Sequence, residues 1–127
     1  MNYAGRLFRP VSNSPNREVN GEKQFRYEQR GNLFSATYSG GGIRAGHMLG
    51  SCDAKGNLRF CYHHVLDDVG VLRSGVCESR PEILPDGRIR MHECWRWTLG
   101  ASGAGEAIVE EIIPASRSSP LPRKVQK

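Results

Sequence analysis

The chain has no run of 18 apolar residues, and its first ten residues, MNYAGRLFRP, hold neither an apolar stretch nor a small-residue cleavage pattern. The first absence excludes a membrane-spanning helix. The second excludes a secretory signal, so a cytoplasmic protein with no membrane partner is expected. Cysteine is sparse: Cys52, Cys61, Cys77 and Cys94 stand 9, 16 and 17 residues apart, without a CxxC pair. That spacing lacks the signature of a zinc ribbon. In a chain without an export signal the four are read as reduced thiols with a structural role, since free cysteine behaves as a small hydrophobe; alternation within its strand turns Cys61 outward.

The common catalytic signatures are missing too. There is no GxSxG, no GxxxxGK followed by Ser or Thr, and no HExxH, so no nucleophile elbow, nucleotide cradle or zinc-protease helix is present. No cofactor is expected. His47, His64 and His92 fall on three separate predicted strands, His92 facing outward, so no three-histidine metal site is expected either. No segment sustains the i, i+3, i+4 apolar spacing of a long helix; a short helix over 13–22 is the sole helical candidate.

What the chain does have is turns. Of its 15 glycines and seven prolines, nine glycines and two prolines cluster with Asn, Asp and Ser at 12–16, 31–32, 39–42, 53–57, 67–70, 85–87 and 102–105. These residues either tolerate positive φ or preset a turn. The segments between them have strand length and predict eight strands, over 5–11, 23–30, 33–38, 43–52, 58–65, 71–79, 88–99 and 106–113. Gly31-Asn32 between two alternating runs is a two-residue hairpin signal.

Eight consecutive antiparallel strands with short connections predict an all-β up-and-down meander. Closing it into a lipocalin- or calycin-like barrel removes both exposed edges. A two-sheet β-sandwich is the alternative. One domain is expected over residues 1–114, with 115–127 as a disordered tail. That tail carries Arg117, Arg123, Lys124 and Lys127 and no acid, which is +4 of the net +5. The rest is therefore near neutral. With no RNA- or DNA-binding motif beside the tail, no nucleic-acid partner is expected.

Alternation along each strand decides which side chains share a face. Over 88–98, Ile89, Met91, Glu93, Trp95 and Trp97 fall on one side, and Arg88, Arg90, His92, Cys94, Arg96 and Thr98 on the other. The first set is assigned to the interior. The same rule turns Leu58, Phe60, Tyr62 and His64 inward, with Phe25 and Tyr27, and with Phe34, Ala36 and Tyr38. Gly42, Gly46 and Gly50 signal a bulge or a close backbone approach, which leaves the facing of Arg44 and His47 open. Of the acids on the last strand, Glu106, Glu110 and Glu111, one is expected in solvent and another in a pair across the barrel.

Glu93 is the most informative of these residues, since a carboxyl on an apolar face is costly unless paired or protonated. With Trp95, Trp97, Tyr62, His64 and Tyr38 it forms the candidate ligand-binding set, an aromatic pocket with one acid for a small molecule. The alternative for Glu93 is a structural hydrogen bond or ion pair, and for Tyr62 and His64 a core position with a satisfied polar tip. A second function class is a non-enzymatic interaction module or homodimer whose inner residues only pack.

Three segments, NLFSATYSGG (32–41), GVCESRPEILPDGRIRMHECWRWT (75–98) and GEAIVEEI (105–112), resemble a group of small bacterial proteins that are often called N-acetylglutamate synthase. That resemblance implies a third class, a small acetyltransferase. No catalytic residue transfers with it. The pyrophosphate loop of the usual acetyltransferase, R/Q-x-x-G-x-G/A opening a helix, is not found in this sequence.

Overall fold

A computed structural model describes residues 1–11, 23–68 and 70–113. The expected helix over 13–22 and the expected tail over 115–127 lie outside them. Eight strands run in chain order: β1 (Leu7–Val11), β2 (Gln24–Arg30), β3 (Leu33–Gly40), β4 (Ile43–Cys52), β5 (Leu58–Leu66), β6 (Leu72–Ile83), β7 (Ile89–Leu99) and β8 (Ala104–Ile112). Each pairs antiparallel with the next, and β1 pairs with β8 from Leu7↔Ile112 to Val11↔Ile108. The sheet therefore closes on itself as a barrel, and the sandwich is excluded. None of the described residues forms a helix long and apolar enough to cross a membrane.

The turns follow their chemistry. Gly31 takes φ of 58°, which lets residues 31–32 close β2 onto β3 with Arg30 facing Leu33. At 53–57, the Asp53 carboxylate accepts the backbone N–H groups of Lys55 and Asn57, both at 2.9 Å.

Four strands depart from the expected bounds by two residues or more: β3 runs on to Gly40 and β8 starts at Ala104, while β1 and β6 differ for local reasons. Residues 5–6 are a turn rather than strand, because Gly5 sits at φ 76° and Arg6 N–H bonds back to Tyr3. Strand β6 runs four residues past the expected end, through Pro81. Proline donates no ladder bond, but the last β6 partner on β5 is Ser79, opposite Leu58, so on that side there is no ladder to break.

The alternation holds throughout β2, β3 and β5, and it also resolves β4. A bulge between Ile43 and Ala45 leaves Arg44 exposed, and His47 faces outward against His63, ring centroids 5.5 Å apart. Cys61 and Cys94 stand exposed on the outer face, where the alternation of β5 and β7 puts them; Cys52 and Cys77 are buried and all four are free.

The packed core fills one end. Phe8 stacks on Tyr27 at 4.2 Å, Tyr27 meets Phe34 edge-on at 4.9 Å, and Ile89 and Met91 complete the layer. Tyr3 plugs this end, its hydroxyl donating to the Gly56 carbonyl and its N–H to Gln29 Oε1. Glu111, 1% exposed, pairs with Arg6 at 2.8 Å and accepts the Ile89 N–H at 3.1 Å.

Candidate functional site

At the other end the inward aromatics do not meet on the axis. Tyr38 faces Gly46 across β3 and β4, Tyr62 faces Gly75 across β5 and β6, and Trp95 faces Gly105 across β7 and β8. A Cβ on Gly46 would overlap the Tyr38 ring, one on Gly75 the Tyr62 hydroxyl, and one on Gly105 would come within 2.7 Å of Trp95 Cζ2. Each ring lies over the bare backbone of the neighbouring strand, a contact only glycine permits. The rings thus line the wall and leave space between them. A cavity of about 1150 Å³ opens there. Its boundary also takes in outward residues such as Arg59 and Glu78, so the lumen proper is smaller.

The wall is a connected set of edge-to-face contacts. Trp97 meets Tyr62 at 5.5 Å, His64 at 5.9 Å and Trp95 at 5.8 Å. The Tyr38 hydroxyl lies 2.7 Å from His64 Nδ1. Burial raises the Tyr38 hydroxyl well above the usual phenol range. Burial lowers His64, helped by the positive charges of Lys23 and Arg73. Tyr38 therefore keeps its proton and His64 is uncharged near neutral pH, so the pair is a neutral hydrogen bond. At the mouth the Arg73 guanidinium lies over the Trp97 ring, 5.9 Å from its centroid.

Glu93 lies among these rings. Burial pushes its carboxyl up to about 7, against a smaller opposing pull from Lys23. Water reaches part of the side chain through the lumen, yet protein surrounds it, and the enclosure dominates. Among the described residues no hydrogen bond is made to this carboxyl. Beside it, Ser79 is its register partner on β6; its hydroxyl is buried and makes no hydrogen bond, and neither does that of Tyr27. Cys77 also faces the lumen, its thiol raised by burial and then by Glu93.

All six residues singled out in the sequence, Glu93, Trp95, Trp97, Tyr62, His64 and Tyr38, line this one cavity. The acids of β8 divide as follows: Glu106 is exposed, Glu110 pairs with Arg88 and Arg90 on the outside, and Glu111 is buried at the closed end. His92 bonds Glu82 on the outer face, at 2.8 Å. Sequence reasoning missed Ser79, Gly75 and Gly105; it marked Gly46 for a close approach without naming the Tyr38 ring that lies on it. The signal lay in register: each glycine stands opposite an inward aromatic once the hairpins are aligned.

The sequence model of one family, described as Avidin-like protein, matches residues 1–112. No curated protein and no solved structure gives a significant match. The acetyltransferase reading finds no support in these comparisons or in the all-β fold. The matched segment spans all eight strands, from before β1 to the end of β8, and the chain belongs to the Avidin-like protein family.

Proposed function

We propose that this barrel is a binding protein that holds a small, ring-containing organic molecule in the open half of its lumen. The observation that carries the reading is the set of aromatic rings laid over glycines, which builds a lined cavity where close packing would otherwise fill the space. Tyr38, Tyr62, Trp95 and Trp97 supply apolar faces, and Glu93 and Ser79 supply polar atoms that set orientation. Membership of the Avidin-like family is consistent with small-molecule binding.

Native mass spectrometry of the purified protein tests this, read beside the fluorescence of a neutral apolar dye, Nile red. A carried small molecule, or dye binding lost in Trp97→Ala, is the expected result. Biotin is the first defined competitor, since the family binds small ligands such as biotin. No carried mass together with no saturable dye binding would overturn the reading.

The outer face supports a second, compatible reading as a homodimer. Leu33 and Leu49 are each about half exposed on β3 and β4, and Leu49 adjoins the exposed Cys61 on β5. Such a face suits a second copy of the chain. Sedimentation velocity giving a monomer at all concentrations would reject it.

A further inference from the structure

The polar atoms inside the lumen define what kind of head group it accepts. Glu93 on β7 and Ser79 on β6 are directly opposite in register, so their side chains enter the lumen next to one another. Ser79 is 3% exposed, and its hydroxyl has no partner. Buried polar groups left unpaired are rare because each costs the full desolvation of that atom. Such a hydroxyl on a cavity wall, beside a carboxyl that accepts no hydrogen bond among the described residues, marks a place where a ligand completes the hydrogen bonds.

The charges around Glu93 narrow the choice. It acts electrostatically on Tyr27, Tyr38, Tyr62 and Cys77, on β2, β3, β5 and β6. Of these, Tyr38, Tyr62 and Cys77 line the same cavity as Glu93. All four are weak acids whose protons are held on by burial, Tyr62 being pushed up to about 12. His64 is neutral, and Lys23, placed before β2, is a lesser influence on Glu93 than burial. The remaining wall is aromatic, and ring faces attract cations; Trp97 already takes Arg73 in this way at the mouth. A carboxyl accepts two parallel N–H bonds from a flat cationic group.

We infer, building on the binding function proposed above, that the lumen selects ligands with a planar, protonated nitrogen head group of the amidine or guanidine type, which donates to the Glu93 carboxylate and the Ser79 hydroxyl beside the Trp95 and Trp97 rings. An acidic head group meets the Glu93 carboxylate as a like charge and is rejected, and a neutral one leaves part of the hydrogen bonding unmade and binds more weakly.

Three probes of one shape test this by calorimetry: benzamidine, benzamide and benzoate. At pH 8 benzamidine is expected to bind about tenfold tighter than benzamide or more, with benzoate weakest. Its affinity should fall by about tenfold per pH unit below about 7, as protonation of Glu93 competes with it, while benzamide shows no such slope. Glu93→Gln should abolish both the preference and the slope, and Ser79→Ala should weaken benzamidine by about tenfold without altering the slope. Benzamide binding as tightly as benzamidine, or Glu93→Gln binding benzamidine like the parent, would overturn the inference. So would failure of all three probes in protein that still binds the dye. Loss of dye binding as well would instead reject the lumen as a binding site. Thermal unfolding of Glu93→Gln confirms that the variant is folded, since removing an unpaired buried acid favours the native state.

Discussion

At the end sealed by Tyr3, the rings of Phe8, Tyr27 and Phe34 pack on one another across the axis; at the open end, Tyr38, Tyr62 and Trp95 pack on glycines of the adjoining strand and leave the axis clear. The two ends also hold one inward glutamate each. Glu111 is satisfied by Arg6 and by the Ile89 N–H, whereas Glu93 meets no donor among the described residues. The same residue types, on the same inward positions of one barrel, thus make a core at one end and a receptive cavity at the other. What differs is the residue opposite each ring and the donor opposite each acid.

This contrast is open to measurement. The largest difference is expected from truncating one ring at each end. Phe34→Ala, at a fully buried position, should destabilise the protein by about 3–5 kcal/mol in urea unfolding. Trp97→Ala, at a partly exposed position, should cost about 1–2 kcal/mol and abolish dye binding. Equal costs would erase the distinction between core and cavity.

The two acids should respond with opposite sign. Glu111→Ala strands Arg6 and the Ile89 N–H and should cost about 3 kcal/mol. Glu93→Gln should stabilise, and only above the acidic range. The folded-state value of about 7 stands above the ordinary 4.5, so the folded protein holds the extra proton. The contribution of Glu93 is fully present below about pH 4.5 and is lost as pH rises through about 7. Between pH 5 and 8 the parent should lose up to about 3 kcal/mol relative to Glu93→Gln, less to the extent that lumen water screens the charge. Parallel stability curves for the two proteins would show that Glu93 is not enclosed.

Gly105→Ala should push the Trp95 ring off its rung and into the lumen. We expect about tenfold weaker dye binding with a stability change of about 1–2 kcal/mol. Unchanged binding would show that the rings do not need glycine beneath them. The smallest effect is expected from Tyr27→Phe. The tyrosine hydroxyl is buried without a partner, so its removal should leave stability within about 1 kcal/mol, on the stabilising side. A loss of 2 kcal/mol or more would reveal a hydrogen bond to that oxygen.

Much of this was legible beforehand. Turn chemistry at 31–32, 39–42 and 85–87 marked strand ends, and alternation over 58–65 and 88–98 assigned the inner faces correctly. Where the reading stopped short, a contact distant in sequence intervened. Pro81 sits inside a strand because β5 ends beside it, which no window around residue 81 reveals. Glu111 is buried because Arg6, at the opposite end of the chain, meets it there. Ser79 was silent because a serine in an alternating run reads as surface until its β7 partner is known.

The sequence by itself determined that this is an eight-stranded meander with Glu93, Tyr62, His64, Trp95 and Trp97 on inward faces, since two-residue periodicity and turn residues act locally. Only the tertiary structure decided that the meander closes through β1 and β8, and that one end is packed while the other is hollow. Those outcomes depend on which residue stands opposite which across the ladder, and register is a relation between strands that no single strand contains.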